Sequence, residues 1–154
     1  MKHDQGNLLV VDDNQLNRSL LVRRVKRQGH ITSSASDGFQ ALEMVRNESF
    51  DLVLLDIMMP QMNGYQVLET IKTDSGLRHI PVIMISAVDD IESMVRCIEL
   101  GAEDYLSKPF VTEILKARIN ACLEKKRLRD QERAYIKQLA EEQEKSESLL
   151  LNIL

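Results

Sequence analysis

The chain has 154 residues, 44% of them apolar, with a formal net charge of −4. That length supports one domain with a real core, and the composition excludes intrinsic disorder. The charge is too mild to suggest a nucleic-acid surface, and no apolar run reaches the length of a membrane span, so neither nucleic acid nor membrane is an expected partner. The start, Met-Lys-His-Asp-Gln-Gly-Asn, has no apolar stretch of the kind a secretion signal needs, so a cytoplasmic protein is expected.

Up to Phe110, short apolar runs alternate with amphipathic ones. Leu8 to Val11 reads as a buried strand bounded by Asp12. Leu16, Leu20, Leu21 and Val25 then recur at helical spacing, and Gly29 sits where that helix should stop. Ile31 to Ala35 is a weaker strand, followed by a helical stripe of Phe39, Leu42 and Val45. Leu52 to Leu55 is the third strand, followed by Val67, Leu68 and Ile71 on a helix. Val82 to Ile85 is the fourth, followed by Ile91, Met94, Val95 and Ile98, with Gly101 as the stop. Tyr105-Leu106 is the fifth. Strands that are apolar throughout and alternate with helices predict an α/β fold with a parallel sheet covered on both faces. Five such units predict a doubly wound (βα)5 sheet of flavodoxin-like order 2-1-3-4-5.

From Thr112 onward the last 43 residues contain no Gly or Pro. A continuous helix there would reach about 65 Å. Thr112 is placed to cap it, and Ile114, Leu115, Ile119 and Leu123 can pack on the sheet. Residues 124–148 carry seven basic and seven acidic side chains, a solvated face. Leu128, Tyr135 and Leu149 fall seven or fourteen apart, as do Leu139 and Ile153. Set as d and a positions they form a heptad seam, interrupted by Glu132, Glu142 and Ser146. The expectation is a parallel dimeric coiled coil, the alternative a lone helix that frays. The ending Leu149-Leu-Leu-Asn-Ile-Leu154 is costly to expose, as expected of a fragment of a longer protein. The expected division is a domain over 1–124 and a helical linker over 125–154. Cys97 and Cys122 read as reduced thiols, and His3, His30 and His79 have no metal-ligand spacing.

The chemistry lies at the strand ends. Asp12 and Asp13 follow the first strand, Asp56 ends the third, Ser86 the fourth and Lys108 the fifth. In a doubly wound sheet these positions meet at the carboxyl edge, and neighbouring first and third strands bring the three aspartates together. Three carboxylates at one point repel and need a cation. Oxygen donors alone favour Mg²⁺. Asp56 can then attack phosphorus, Ser86 can bond a phosphoryl oxygen, and Lys108 can offset charge on another. A single strand-end Asp is more often a turn or cap residue, but the joint pattern is hard to obtain by accident.

The stretches Val10-Val-Asp-Asp-Asn14, Leu54-Leu-Asp-Ile-Met-Met-Pro60 with Asn63-Gly64, Ile85-Ser-Ala87, Gly101-Ala102 and Asp104-Tyr-Leu-Ser-Lys-Pro-Phe110 resemble receiver domains of two-component response regulators. The resemblance covers roughly residues 7–124. It implies that Asp56 is phosphorylated by a histidine kinase or phosphotransfer protein. It also implies Mg²⁺ held by Asp13, Asp56 and the Met58 carbonyl, with Asp12 acting through water. It further implies a cis peptide between Lys108 and Pro109, and a switch pair of Ser86 and Tyr105, whose ring turns inward on phosphorylation. Met58 and Val88 are apolar where a hydrolytic water would be positioned, so slow loss of the phosphoryl group is expected. In related receivers that dimerise, residues matching Asp104 and Arg118 pair across a two-fold axis, so a homodimer face is expected there, with Leu128, Tyr135, Leu139 and Leu149 continuing it. The ending from Ser148 to Leu154 resembles the signalling helix before class III adenylate or guanylate cyclase domains. Histidine kinases, diguanylate cyclases and serine phosphatases are alternative outputs.

Other classes fit less well. A haloacid-dehalogenase-type phosphatase wants a second Asp two residues after the nucleophile, where this chain has Met58. A nucleotide-binding module needs a Gly-rich phosphate loop, which the sequence lacks. A receiver used only for dimerisation would not need an intact acidic site.

Overall fold

The computed structural model describes residues 5–153. The expectations for His3 and Leu154 concern residues outside that range. Five parallel strands, β1 (Asn7–Val11), β2 (Ile31–Ala35), β3 (Leu52–Asp56), β4 (Val82–Ser86) and β5 (Asp104–Ser107), form one sheet in the order β2-β1-β3-β4-β5. The helices are α1 (Gln15–Arg27), α2 (Gly38–Asn47), α3 (Gly64–Thr73), α4 (Ile91–Glu99) and α5 (Thr112–Ile153). This is the doubly wound, flavodoxin-like arrangement that the alternating pattern predicts.

The two faces of the sheet explain the apolar strands. Side chains alternate along a strand, so neighbouring residues enter different cores. Leu9, Val11, Val53, Leu55 and Met84 pack with residues of α2, α3 and α4. Leu8, Val10, Leu54, Ile83 and Ile85 pack with residues of α1 and α5. β3 and β4 are buried at all five positions, which is why their sequences do not alternate. Asn14, Asp37, Asn63 and Asp90 cap α1 to α4, each accepting from a backbone N–H three residues on. Gly29 and Gly101 turn the chain out of α1 and α4 at φ values of 97° and 105°, a region glycine enters without steric cost.

The predicted helices are present, but the apolar stripes of three are less buried than such stripes commonly are, and one cap differs. Leu16, Leu20 and Phe39 are exposed, so the buried parts of α1 and α2 are narrower than their apolar stripes. In α4 the discrepancy is larger. Ile91, Met94, Val95 and Ile98 all reach solvent, and only Cys97 is buried. α4 packs beside β5, the edge strand, so the core takes little of its surface. Thr112 is the first helical residue of α5 rather than its cap, and the Val111 carbonyl accepts from Ile114 and Leu115.

α5 runs for 42 residues. Leu115, Ile119 and Cys122 anchor it to the sheet, while Ile114 is exposed and Leu123 half-buried. Ion pairs then continue the attachment. Lys126 lies 3.7 Å from Asp51 and also bonds Asp130, and Arg129 pairs with Glu103. Arg118 pairs with Asp104 at 3.1 Å within the same chain, so pairing across a two-fold axis would have to exchange this contact. From residue 131 onward every described residue is exposed. Among the described residues no helix is long and apolar enough to cross a membrane.

Apolar anchoring, rather than exposed ion pairs, therefore fixes α5. Leu115→Ala should lower the unfolding free energy by about 2–5 kcal/mol. Leu16→Ala, on an exposed position, should change it by less than about 0.5 kcal/mol. Urea denaturation of the two variants measures both.

Candidate functional site

The strand order places Asp12, Asp13 and Asp56 at the carboxyl edge of neighbouring β1 and β3. One carboxylate oxygen from each lies within 4.8 Å of the others, so the structure brings the three together. Asp12 and Asp56 are buried and Asp13 is exposed. Asp12 Oδ1 accepts from the Asn14 N–H at 2.9 Å, and Asp12 Oδ2 lies 2.9 Å from Lys108 Nζ. The same ammonium lies 3.8 Å from Asp56 Oδ1. Lys108 thus crosses the gap from β5 to bind the acidic cluster. The Lys108–Pro109 peptide is cis.

Electrostatics set Asp56 apart. Burial pushes its carboxyl up to about 6, from an ordinary 3.8. Lys108 and a hydrogen bond from the Met58 N–H oppose that rise, while Asp12 and Asp13 add to it. A buried carboxylate with two anionic neighbours and one cation is under-compensated.

Ser86 is fully buried at the end of β4, and its hydroxyl accepts from the Val88 N–H at 3.1 Å. Tyr105 on β5 is buried with Cys97 and Met84, and its hydroxyl donates to the Val88 carbonyl. The ring is therefore buried in this structure, packed in the core cluster that includes Met84 and Cys97. Burial raises its phenol pKa above the usual value. Ser86 and Tyr105 both meet the loop after β4, at Val88. Met58 is exposed beside the site. The expected dimer residues lie elsewhere, with Leu128, Tyr135, Leu139 and Leu149 all exposed along α5.

Two supporting residues had no role assigned from the sequence. Arg18 on α1 donates to the Asp12 carbonyl at 2.8 Å, holding the loop that carries the aspartates. Gly64 opens α3 directly beneath Asp56. A Cβ there would come within 2.2 Å of the Asp56 carbonyl oxygen, so no other residue fits this backbone. Its N–H donates to the Ile57 carbonyl at 2.8 Å. The Asn63-Gly64 pair was the available signal for Gly64. Nothing in the spacing singles out Arg18.

The raised pKa has a consequence for stability. Between about pH 4 and pH 6 the unfolded chain has released the Asp56 proton while the folded chain retains it. Stability therefore falls as pH rises through that window, by up to roughly 3 kcal/mol. Asp56→Asn removes this penalty. In metal-free buffer the variant should be the more stable protein near pH 8, with the difference vanishing near pH 4. Thermal unfolding across pH checks the direction, and equal stability of the two proteins at both ends would contradict it.

A family model described as the response regulator receiver domain matches residues 8–120. The chain is 41% identical over 119 residues to "Probable transcriptional regulator ycf27" of Cyanidium caldarium, covering 77% of this chain and 47% of that protein. It is 36% identical over 127 residues to "Response regulator MprA" of Mycobacterium ulcerans (strain Agy99), covering 82% and 54%. The solved receiver domain of the Francisella response regulator 1452 aligns with a TM-score of 0.73 and 29% identity, over 78% of this chain and 98% of that one. The chain spans about half the length of these curated relatives. It belongs to the response regulator receiver domain family, whose members are regulatory phospho-acceptor domains rather than enzymes.

Proposed function

We propose that Asp56 accepts a phosphoryl group from a sensor histidine kinase or phosphotransfer protein, with Mg²⁺ at the acidic cluster. The observation that carries this reading is the convergence of three carboxylates and Lys108 on one edge of the sheet. An Asp56 oxygen forms a bond to phosphorus as the donor's nitrogen–phosphorus bond breaks. Lys108 lies 2.9 Å from Asp12 and 3.8 Å from Asp56, which supports a role for its ammonium in holding a phosphoryl oxygen. A groove of about 470 Å³ beside the site is lined by Asp12, Leu20, Lys108 and Phe110 among others, and a donor could approach along it.

The donor set fits a hard divalent cation, because all three groups are carboxylates. Asp13 and Asp56, with the Met58 carbonyl, are the proposed direct ligands. Both Asp12 oxygens are engaged, one by Asn14 and one by Lys108, which supports an indirect role through water. Bound Mg²⁺ would supply positive charge against the carboxylates and the incoming phosphoryl oxygens.

The response is proposed to pass through Ser86 and Tyr105. A phosphoryl group on Asp56 would draw the Ser86 hydroxyl from the Val88 N–H and reset the loop that Tyr105 bonds. Residues 1–124 would act as the receiver and residues 125–154 as a signalling helix that pairs in a parallel homodimer. The face of α4, β5 and α5 that carries Asp104 and Arg118 would form the root of that dimer. The sequence from Ser148 onward supports a nucleotide cyclase as the output. The relative named as a probable transcriptional regulator favours a second reading, an output that regulates transcription.

Incubation with Mg²⁺ and acetyl phosphate should add one phosphate per chain, read by intact mass. Asp56→Asn should take up none, and Asp13→Ala should require far more Mg²⁺. Lys108→Ala should separate phosphate uptake from the loop response. Normal uptake by Asp56→Asn would sink the assignment.

A further inference from the structure

From residue 131 onward every described residue of α5 is exposed, although Arg133, Ile136 and Lys137 still line shallow grooves with Arg78 and His79 of the domain. The large apolar residues of this distal half are exposed on a helix that is otherwise charged. All but Leu151 fall into columns that repeat every seven residues. Leu139, Ser146 and Ile153 form one column. On one side of it lie Tyr135, Glu142 and Leu149; on the other lie Ile136, Gln143 and Leu150. The seam expected from sequence uses the first of these flanking columns. The structure favours the second, for three reasons.

The first reason is charge. In a parallel pair, core residues meet their own copies. Glu142 would then face Glu142, and two facing carboxylates repel as they lose water. Gln143 facing Gln143 is self-complementary, because an amide both donates and accepts. The second reason is where Glu142 already goes. Its Oε1 accepts from Gln138 Nε2 at 3.3 Å. Gln138 lies on the side of the helix away from Gln143, so the carboxylate is drawn off that stripe.

The third reason is alignment with the receiver. Eighteen residues are five full turns of a straight helix. Arg118 is therefore in line with Ile136, Ala121 with Leu139, and Lys125 with Gln143. Arg118 faces β5, where it pairs with Asp104. Ile114 lies one turn before it on α5, and the exposed apolar residues Ile91, Val95 and Ile98 belong to α4, which packs against the same strand β5. A parallel pair along this line covers the apolar face of α4 and the distal stripe together. An antiparallel pair would carry the two α4 faces to opposite ends of the helices.

We propose that a second copy of this chain packs in parallel along the stripe Ile136, Leu139, Gln143, Ser146, Leu150 and Ile153, with Tyr135, Glu142 and Leu149 at its margin. This rests on the dimeric reading above and specifies its register. The occupant is a second copy because the stripe is neutral and pairs with itself at each polar layer.

The test uses the full chain with single cysteines at Glu142→Cys, Gln143→Cys, Leu149→Cys and Leu150→Cys. All four positions are exposed, so the substitutions should not disturb folding. Cys97 and Cys122 are buried, with thiols pushed up to about 11 and about 12, so they compete little for oxidation. Sedimentation equilibrium is run first, and a monomer at micromolar concentration would overturn the dimeric reading itself. Given a dimer, mild copper-phenanthroline oxidation should link Gln143→Cys and Leu150→Cys at least about fivefold faster than Glu142→Cys and Leu149→Cys. Equal rates or the reverse order would overturn the stripe while leaving the dimer. A dimer that links at none of the four would overturn the parallel pairing.

Discussion

Three carboxylates share one end of a parallel sheet, and much of the structure serves to hold them there. Strand order 2-1-3-4-5 makes β1 and β3 neighbours, which forces Asp12 and Asp13 toward Asp56. Burial then deprives Asp56 of water and raises its pKa to about 6. Left alone, such a cluster would open or protonate. Lys108 reaches across from β5 to offset part of the charge, Asn14 bonds Asp12, and Arg18 ties down the loop. Gly64 lets α3 start in contact with the Asp56 backbone. The remaining imbalance is what supports the proposal that the site receives a cation and a phosphoryl group.

The fold was legible because its strongest signals are long range in effect but local in sequence. Runs such as Leu52 to Leu55 and Val82 to Ile85 are apolar without alternation, which only a sheet covered on both faces explains. The aspartates were legible for the same reason, since a strand end in this topology is also a position in the site. α4 itself was legible but its exposure was not, because periodicity reports that a helix has an apolar face, not what covers it. Ile91, Val95 and Ile98 obey helical spacing as well as Val67, Leu68 and Ile71 do, yet one set is exposed and the other buried. Position over the edge strand decides the difference, and no local pattern encodes it. Arg18 was illegible for a related reason, because its role depends on a carbonyl six residues away that becomes reachable only when α1 docks.

The two ends of β5 connect the site to the helix that leaves the domain. Lys108 follows the strand into the acidic cluster, Tyr105 within it bonds the loop beyond Ser86, and Glu103 before it pairs with Arg129 of α5. Asp51, just before β3, pairs with Lys126 of the same helix. A rearrangement at the carboxyl edge therefore has a short mechanical route to residues 126–130, the last part of α5 attached to the domain. Beyond them every described residue of the helix is exposed.

The central claim is that Asp56 sits in an under-compensated acidic cluster built for a divalent cation. Titration of the Asp56 side-chain carboxyl by ¹³C NMR, in metal-free buffer and again with Mg²⁺, tests it directly. The account predicts a midpoint near 6 without metal, as burial imposes, and a clear fall when Mg²⁺ is added. An ordinary carboxylate midpoint near 4 that Mg²⁺ leaves unmoved would contradict it.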